Sequence, residues 1–336
     1  MEKGLQYSGN KTGQRKDAVQ NERKLHMIKI LEALLPVLLM MGLGAFCKAR
    51  NWMKQESING LKFLATKIIL PVAIFHALAT AEYSSSIFKI VLIMFCMLLI
   101  SFGAGFLVKG VVKPPYRKYV PFLVSVYEGG MMAYPLYTNL CGAGNLSQIA
   151  VLDIAGLLFG FSVYMSLLRA VDGSEKMGVR DVCLDAVKNP AFIATVLGIL
   201  CGLTGIVRGL LDSSAGNLYL ICESMITSPL SAIILLIVGY ELKPDRALLI
   251  PCLKTLLLRM TVQAVMILGV LAAVHQLIGR NQILDLAVLI YMSAPATFSL
   301  QTFVRTEEGS AYIATTNSLY CFVSIAVYAI AAFFVR

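Results

Sequence analysis

Charge is scarce in this chain. Only 14% of its 336 residues are Asp, Glu, Lys or Arg, while 58% are hydrophobic; soluble domains carry about 25% charged residues. Mean hydropathy is +0.75. These values exclude a soluble globular domain and predict an integral membrane protein. Histidine is scarcer still, with His26, His76 and His275 as the whole supply. They form no HExxH pair and no cluster with cysteine, so no metal site is expected. The eight cysteines are scattered through mostly apolar segments without a CxxC, and read as small buried side chains. The sequence has no GxxxxGK[ST], no GxSxG and no Ser/His/Asp arrangement. An enzymatic function therefore has no residues to carry it, and no cofactor is expected. Residues 1–27 lack an apolar core, so they are no signal peptide and read as a polar, mostly disordered tail.

The formal net charge of +10 would suit a nucleic-acid binder. The basic residues, however, lie between apolar runs rather than on one soluble face. Basic connections are what membrane orientation requires, so the expected partner is the lipid bilayer and not nucleic acid.

A spanning helix needs about 20 mostly apolar residues. Ten segments qualify, at approximately 28–47, 57–79, 87–108, 119–140, 146–169, 190–208, 217–240, 248–275, 284–304 and 310–335. The longest polar connection, 170–189, reads as a cytoplasmic linker between two five-helix halves, 28–169 and 190–336. Five is odd, so the second half enters the membrane from the opposite side. The predicted fold is an all-α polytopic membrane protein of ten transmembrane helices in two inverted repeats. Lysines and arginines concentrate in the connections after the odd-numbered spans, among them Lys48, Arg50, Lys109, Arg117 and Arg246. They outnumber those on the opposite side even when the basic tail is added. The positive-inside rule then places these connections in the cytoplasm and both termini outside.

The two halves share their punctuation. Pro71 and Pro135 lie in the second and fourth spans of the first half, and Pro229 and Pro295 lie in the matching spans of the second. EGGMMAYP in the fourth span and SAPAT in the ninth look like corresponding helix breaks. Such paired breaks are the best sequence pointer to a transporter's binding site. A break frees carbonyls that protein or a water-filled cavity must satisfy. It also presents half-helix N-termini that suit an anion, while the freed carbonyls suit a cation. Candidate solute-binding residues are Glu128, Gly129, Gly130, Pro135, Ser293, Pro295 and Thr297.

Ionisable residues inside spans are costly and face an interior. Glu128 and Lys67 fall near mid-depth, where an ion pair between them is one reading. The other is a Glu128 that exchanges partners during transport and carries a proton. Asp153 joins them as a candidate coupling residue, although it and Glu223 lie close enough to the outer ends to be hydrated from the interface. Arg259 and Lys254 read as snorkelling to the cytoplasmic face. Ser299, Gln301 and Asn317 are candidate interhelical hydrogen-bond partners. The Gly156/Gly160 pair in AGLLFG suggests close helix packing.

Several segments resemble the auxin efflux carrier family of plants, fungi and bacteria. They are LKFLATKIILPVAIFHALAT from Leu61, EGGMMAYPLYTNLCG from Glu128, KNPAFIATVLGIL from Lys188, SPLSAIILLIVGYEL from Ser228 and YMSAPATFSLQTF from Tyr291. No one of them is specific, but their order and spacing are, over about residues 28–335. The resemblance implies fourth and ninth helices that break and cross at the substrate site, and an elevator-like motion. It implies an organic anion as solute and, from the compact form, a bacterial cytoplasmic membrane. A homodimer is compatible with it. Two positions depart from the family pattern: Glu128 stands where Asn is usual, and Ala133 where Gly is usual. A negative charge there opposes an anion. Either Glu128 is protonated when solute binds, or Lys67 neutralises it, or the solute is not a simple anion. The alternatives weighed are a sodium-coupled symporter of bile-acid-carrier-like type and a non-transporting membrane sensor.

Overall fold

The computed structural model describes residues 31 and 34–333, except 82, 161–163, 165–166, 169–170, 172–183, 185–186, 243–245, 299, 301–303 and 305. The tail 1–27, most of the 170–189 connection, Ser299 and Gln301 lie outside the described residues. Among those described, the chain is all helical, with no strand.

Five helices are long and apolar enough to cross a membrane: α2 (Gln55–Ala79), α3 (Ser85–Val111), α8 (Gly216–Glu241), α9 (Leu249–Leu277) and α11 (Glu307–Ala332). Each exceeds the roughly 20 residues that a hydrocarbon core of about 30 Å demands. Shorter apolar helices are α1 (Leu34–Ala49), α6 (Leu146–Phe159), α7 (Pro190–Thr204) and α10 (Gln282–Met292). Between α3 and α6 the chain makes two half-helices, α4 (Val120–Ser125) and α5 (Tyr134–Cys141), with a π turn at Gly129–Ala133 leading into α5.

Local chemistry fixes the ends. The Asn189 carboxamide accepts from Ala191 and Phe192 N–H, with Pro190 at the first helical position of α7. Asn281 does the same for α10, and Thr306 caps α11 ahead of Glu307 and Glu308. Each supplies partners for N–H groups that a helix leaves open, and the acids favour the positive end of the dipole.

Packing divides the helices into two neighbourhoods. In one, α7 lies along the second half of α2, and α1 and α2 pack on α8. Gly44 of α1 faces the Leu236 carbonyl and Gly239 of α8 faces that of Met41, so these two backbones touch directly. Gly198 and Gly202 let α7 approach Phe75 and Leu78 of α2 in the same way; small residues are what allow such approach in lipid. In the other neighbourhood α3 packs on α4 and α6, α9 packs on α3, α4, α10 and α11, and α10 packs on α5 and α6. The two meet where α8 touches α5 and α2 touches α6. Gly130 admits Leu70 at this boundary, and Thr138 lies 3.3 Å from Ser231.

Large apolar side chains such as Leu39, Phe88, Leu107, Leu203 and Leu268 are exposed on the outside. Exposure on this scale suits lipid rather than water. Polar pairs tie the ends: Lys62–Glu241 at 3.0 Å and Tyr240 to the Met53 carbonyl at one end, His275–Asp285 at 2.8 Å at the other. Pro71 opens the second part of α2 after a π turn at Ala65–Ile69, and Pro229 sits between the two parts of α8.

Candidate functional site

The two breaks lie against each other. Val126–Glu128 leave the helical path between α4 and the π turn, and Ser293–Thr297 leave it beyond α10. Glu128 N–H donates to the Pro295 carbonyl at 2.8 Å, joining the breaks through backbone. Pro135 is not the break itself. It lies inside the first turn of α5, two turns further on.

Glu128 is buried at 9% exposure, and its carboxylate bridges the breaks. Oε1 accepts from Met131 N–H at 3.2 Å, in the turn that opens towards α5. Oε2 accepts from Phe298 N–H at 2.6 Å, where the chain resumes turning after SAPAT. The Thr297 side chain is a further hydrogen-bond partner. The N-terminal donors of both breaks thus converge on one carboxylate, which belongs to the protein itself.

The carbonyls freed on the opposite side are also filled. Tyr164 donates to Phe122 O at 3.0 Å, Ser101 to Val124 O at 3.2 Å, and Gln263 also donates to Val124 O. Arg259 donates to the carbonyls of Leu123, Val126 and Ala294, the last two at 2.9 and 2.7 Å. Ser324 donates to Ser293 O at 2.6 Å, and Asn317 to Thr297 O at 3.5 Å. Unpaired backbone groups in a membrane interior cost several kcal/mol each, and this set of side chains removes that cost. Arg259 is 1% exposed. It does not snorkel, as the sequence suggested. As the eleventh residue of α9 it starts about 15 Å from the helix end, and it turns inward to carbonyl oxygens.

Asp153 stands beside Glu128. Its carboxylate accepts from Tyr134 OH at 2.9 Å and Tyr291 OH at 2.7 Å. Gly129 is what lets it approach the break, since a Cβ there would meet both Asp153 oxygens. Gly156 makes room for the Tyr291 hydroxyl and so for the close approach of α10 to α6, whereas Gly160 faces open space. Lys67 takes no part. It lies in the π turn of α2, is exposed, and forms no ion pair with Glu128 among the described residues. Glu223 accepts from Thr227 within its own helix. Sequence reasoning misread Arg259 and missed Gln263, Tyr134 and Tyr291. A charge eleven residues into an apolar helix was the available signal for Arg259.

A cleft of about 550 Å³ opens at one end, lined by Thr80, Ser84, Gln148 and Arg280, with Val151 and Leu284 beneath. Asp153 is two residues beyond Val151 on α6. A smaller void of about 30 Å³ lies on the other side of Phe298, near Glu241, Ser318 and Cys321.

No curated protein matches the chain. The family model described as membrane transport protein matches residues 29–329. It covers both breaks, the two carboxylates and nearly every described helix. The chain belongs to this membrane transport protein family, the auxin efflux carrier family that its segments resemble.

Proposed function

We propose that the chain is a secondary transporter of a small organic acid, working by alternating access with its solute site at the crossed breaks. In this reading the halves 28–169 and 190–336 are inverted five-helix repeats. The basic connections face the cytoplasm, both termini lie outside, and the 550 Å³ cleft is the outer approach. The observation that carries the proposal is the bridging carboxylate of Glu128, held by Met131 and Phe298 N–H. Two half-helix N-termini aimed at one carboxylate form an anion site, and the chain's own acid now fills it.

A solute carboxylate takes those donors only when Glu128 leaves them. A buried acid that loses its donors is spared an uncompensated charge by taking up a proton. Solute and proton therefore bind together, and departure of the solute returns Glu128 to the donors and releases the proton. This resolves the conflict between a fixed negative charge and an anionic solute. It also assigns Lys67 no neutralising role. The neighbourhood of α3–α6 and α9–α11 would move as one body against α1, α2, α7 and α8, sliding at the Gly130–Leu70 contact.

Uptake of mono- and dicarboxylates into proteoliposomes tests the reading. An imposed proton gradient should drive accumulation, and Glu128→Gln should abolish that dependence. Absence of flux for every acid tried, with binding retained, would favour a sensor instead.

A further inference from the structure

The geometry points to Arg259 as a built-in cation, occupying at the crossed breaks the position that a coupling metal ion would take. Leu123 and Val126 close α4, and Ala294 lies just past the end of α10. Their three carbonyl oxygens come from helix ends whose dipoles are negative. Unwound carbonyls at half-helix C-termini are the ligands with which transporters hold sodium. Here one guanidinium takes all three. Tyr127 and Tyr320 flank it at 5.5 and 4.7 Å from their ring centroids, which adds cation–π attraction in a dry site. No acid forms an ion pair with Arg259 among the described residues, so the carbonyls and rings are what balance the charge. Gln263, one turn further along α9, holds Val124 O and is itself held by Tyr127 OH at 2.6 Å.

A cation tethered to α9 is never released. The crossing therefore needs no sodium, and removing the guanidinium leaves a vacant cation site of matching chemistry. The inference does not depend on which solute moves, or on whether any does, because its readout is the stability of purified protein without solute.

The thermal midpoint of the full chain in detergent is measured in sodium, potassium, choline and guanidinium chlorides at equal, low millimolar strength. The wild-type midpoint is expected to be the same in all four. Arg259→Ala should melt several degrees lower and recover saturably in guanidinium but not in choline. A wild type stabilised by sodium over choline overturns the inference, as does an Arg259→Ala protein indifferent to guanidinium. Arg259→Lys and Arg259→Met, of similar bulk, decide the matter if the alanine variant does not fold. The lysine protein should be clearly the more stable, and equal midpoints would overturn the assignment.

Discussion

Four carboxylate oxygens define the chemistry at the residue scale. Those of Glu128 accept from two backbone N–H groups, and those of Asp153 accept from two tyrosine hydroxyls. Each acid takes one partner from residues 131–134 and one from 291–298, so each acts as a tie as well as a charge. Tyr291→Phe should leave one Asp153 oxygen short of a donor at a cost of about 1–3 kcal/mol, read as a lower unfolding midpoint. Combined with Asp153→Ala, the loss should be less than additive, because both changes remove the same contact. Gly129→Ala acts through the same acid. Its methyl would press on both Asp153 oxygens, and since Tyr134 and Tyr291 hold that carboxylate in place, transport should fall sharply.

At the scale of elements, α4 and α5 show what a broken helix requires. The break is stable because α3, α9 and α11 supply Ser101, Arg259, Gln263, Asn317 and Ser324 to its freed carbonyls and to those beyond α10. The sequence displayed the breaks themselves, since a glycine pair in EGGMMAYP and a proline in SAPAT are visible at membrane depth. It did not display the partners, because a serine or glutamine in an apolar helix looks the same whether it meets a carbonyl or a neighbouring side chain. Arg259 was misread for a related reason: depth can be counted along a helix, but the face it presents cannot. The contact of α1 with α8 offers a separate check on packing. A methyl at Gly239 would meet the Met41 backbone, and one at Gly44 the Leu236 backbone. Backbone cannot step aside as a flexible side chain can, so Gly44→Ala and Gly239→Ala should each destabilise by about 1–3 kcal/mol. Gly42→Ala, facing open space on the same helix, should not lower the midpoint, since alanine favours a helix interior over glycine.

At the scale of the molecule, the chain belongs to a membrane transport protein family, and in the proposed reading the meeting of its two breaks carries an anion and a cation of its own. Membership of the class was legible from scarce charge and long apolar runs. The all-helical fold followed from segment lengths, and the matched breaks, which do meet, are where the solute site is proposed. Glu128 and Asp153 were legible as candidate charges, but the approach of Arg259 to the breaks was not, because it comes from α9, far along the sequence. The proposed exchange of Glu128 for a solute carboxylate has a thermodynamic signature. If solute binding transfers a proton to Glu128, affinity for the anion must rise as pH falls, and the solute must in turn promote proton uptake by the same coupling. The most direct test is calorimetric titration of purified protein with an organic acid that it transports, in buffers of different ionisation enthalpy, which counts protons taken up per solute bound. Wild type should take up about one proton for each carboxylate that displaces Glu128, and Glu128→Gln should bind the same acid with no proton uptake. An equal proton count in the two proteins would contradict the account.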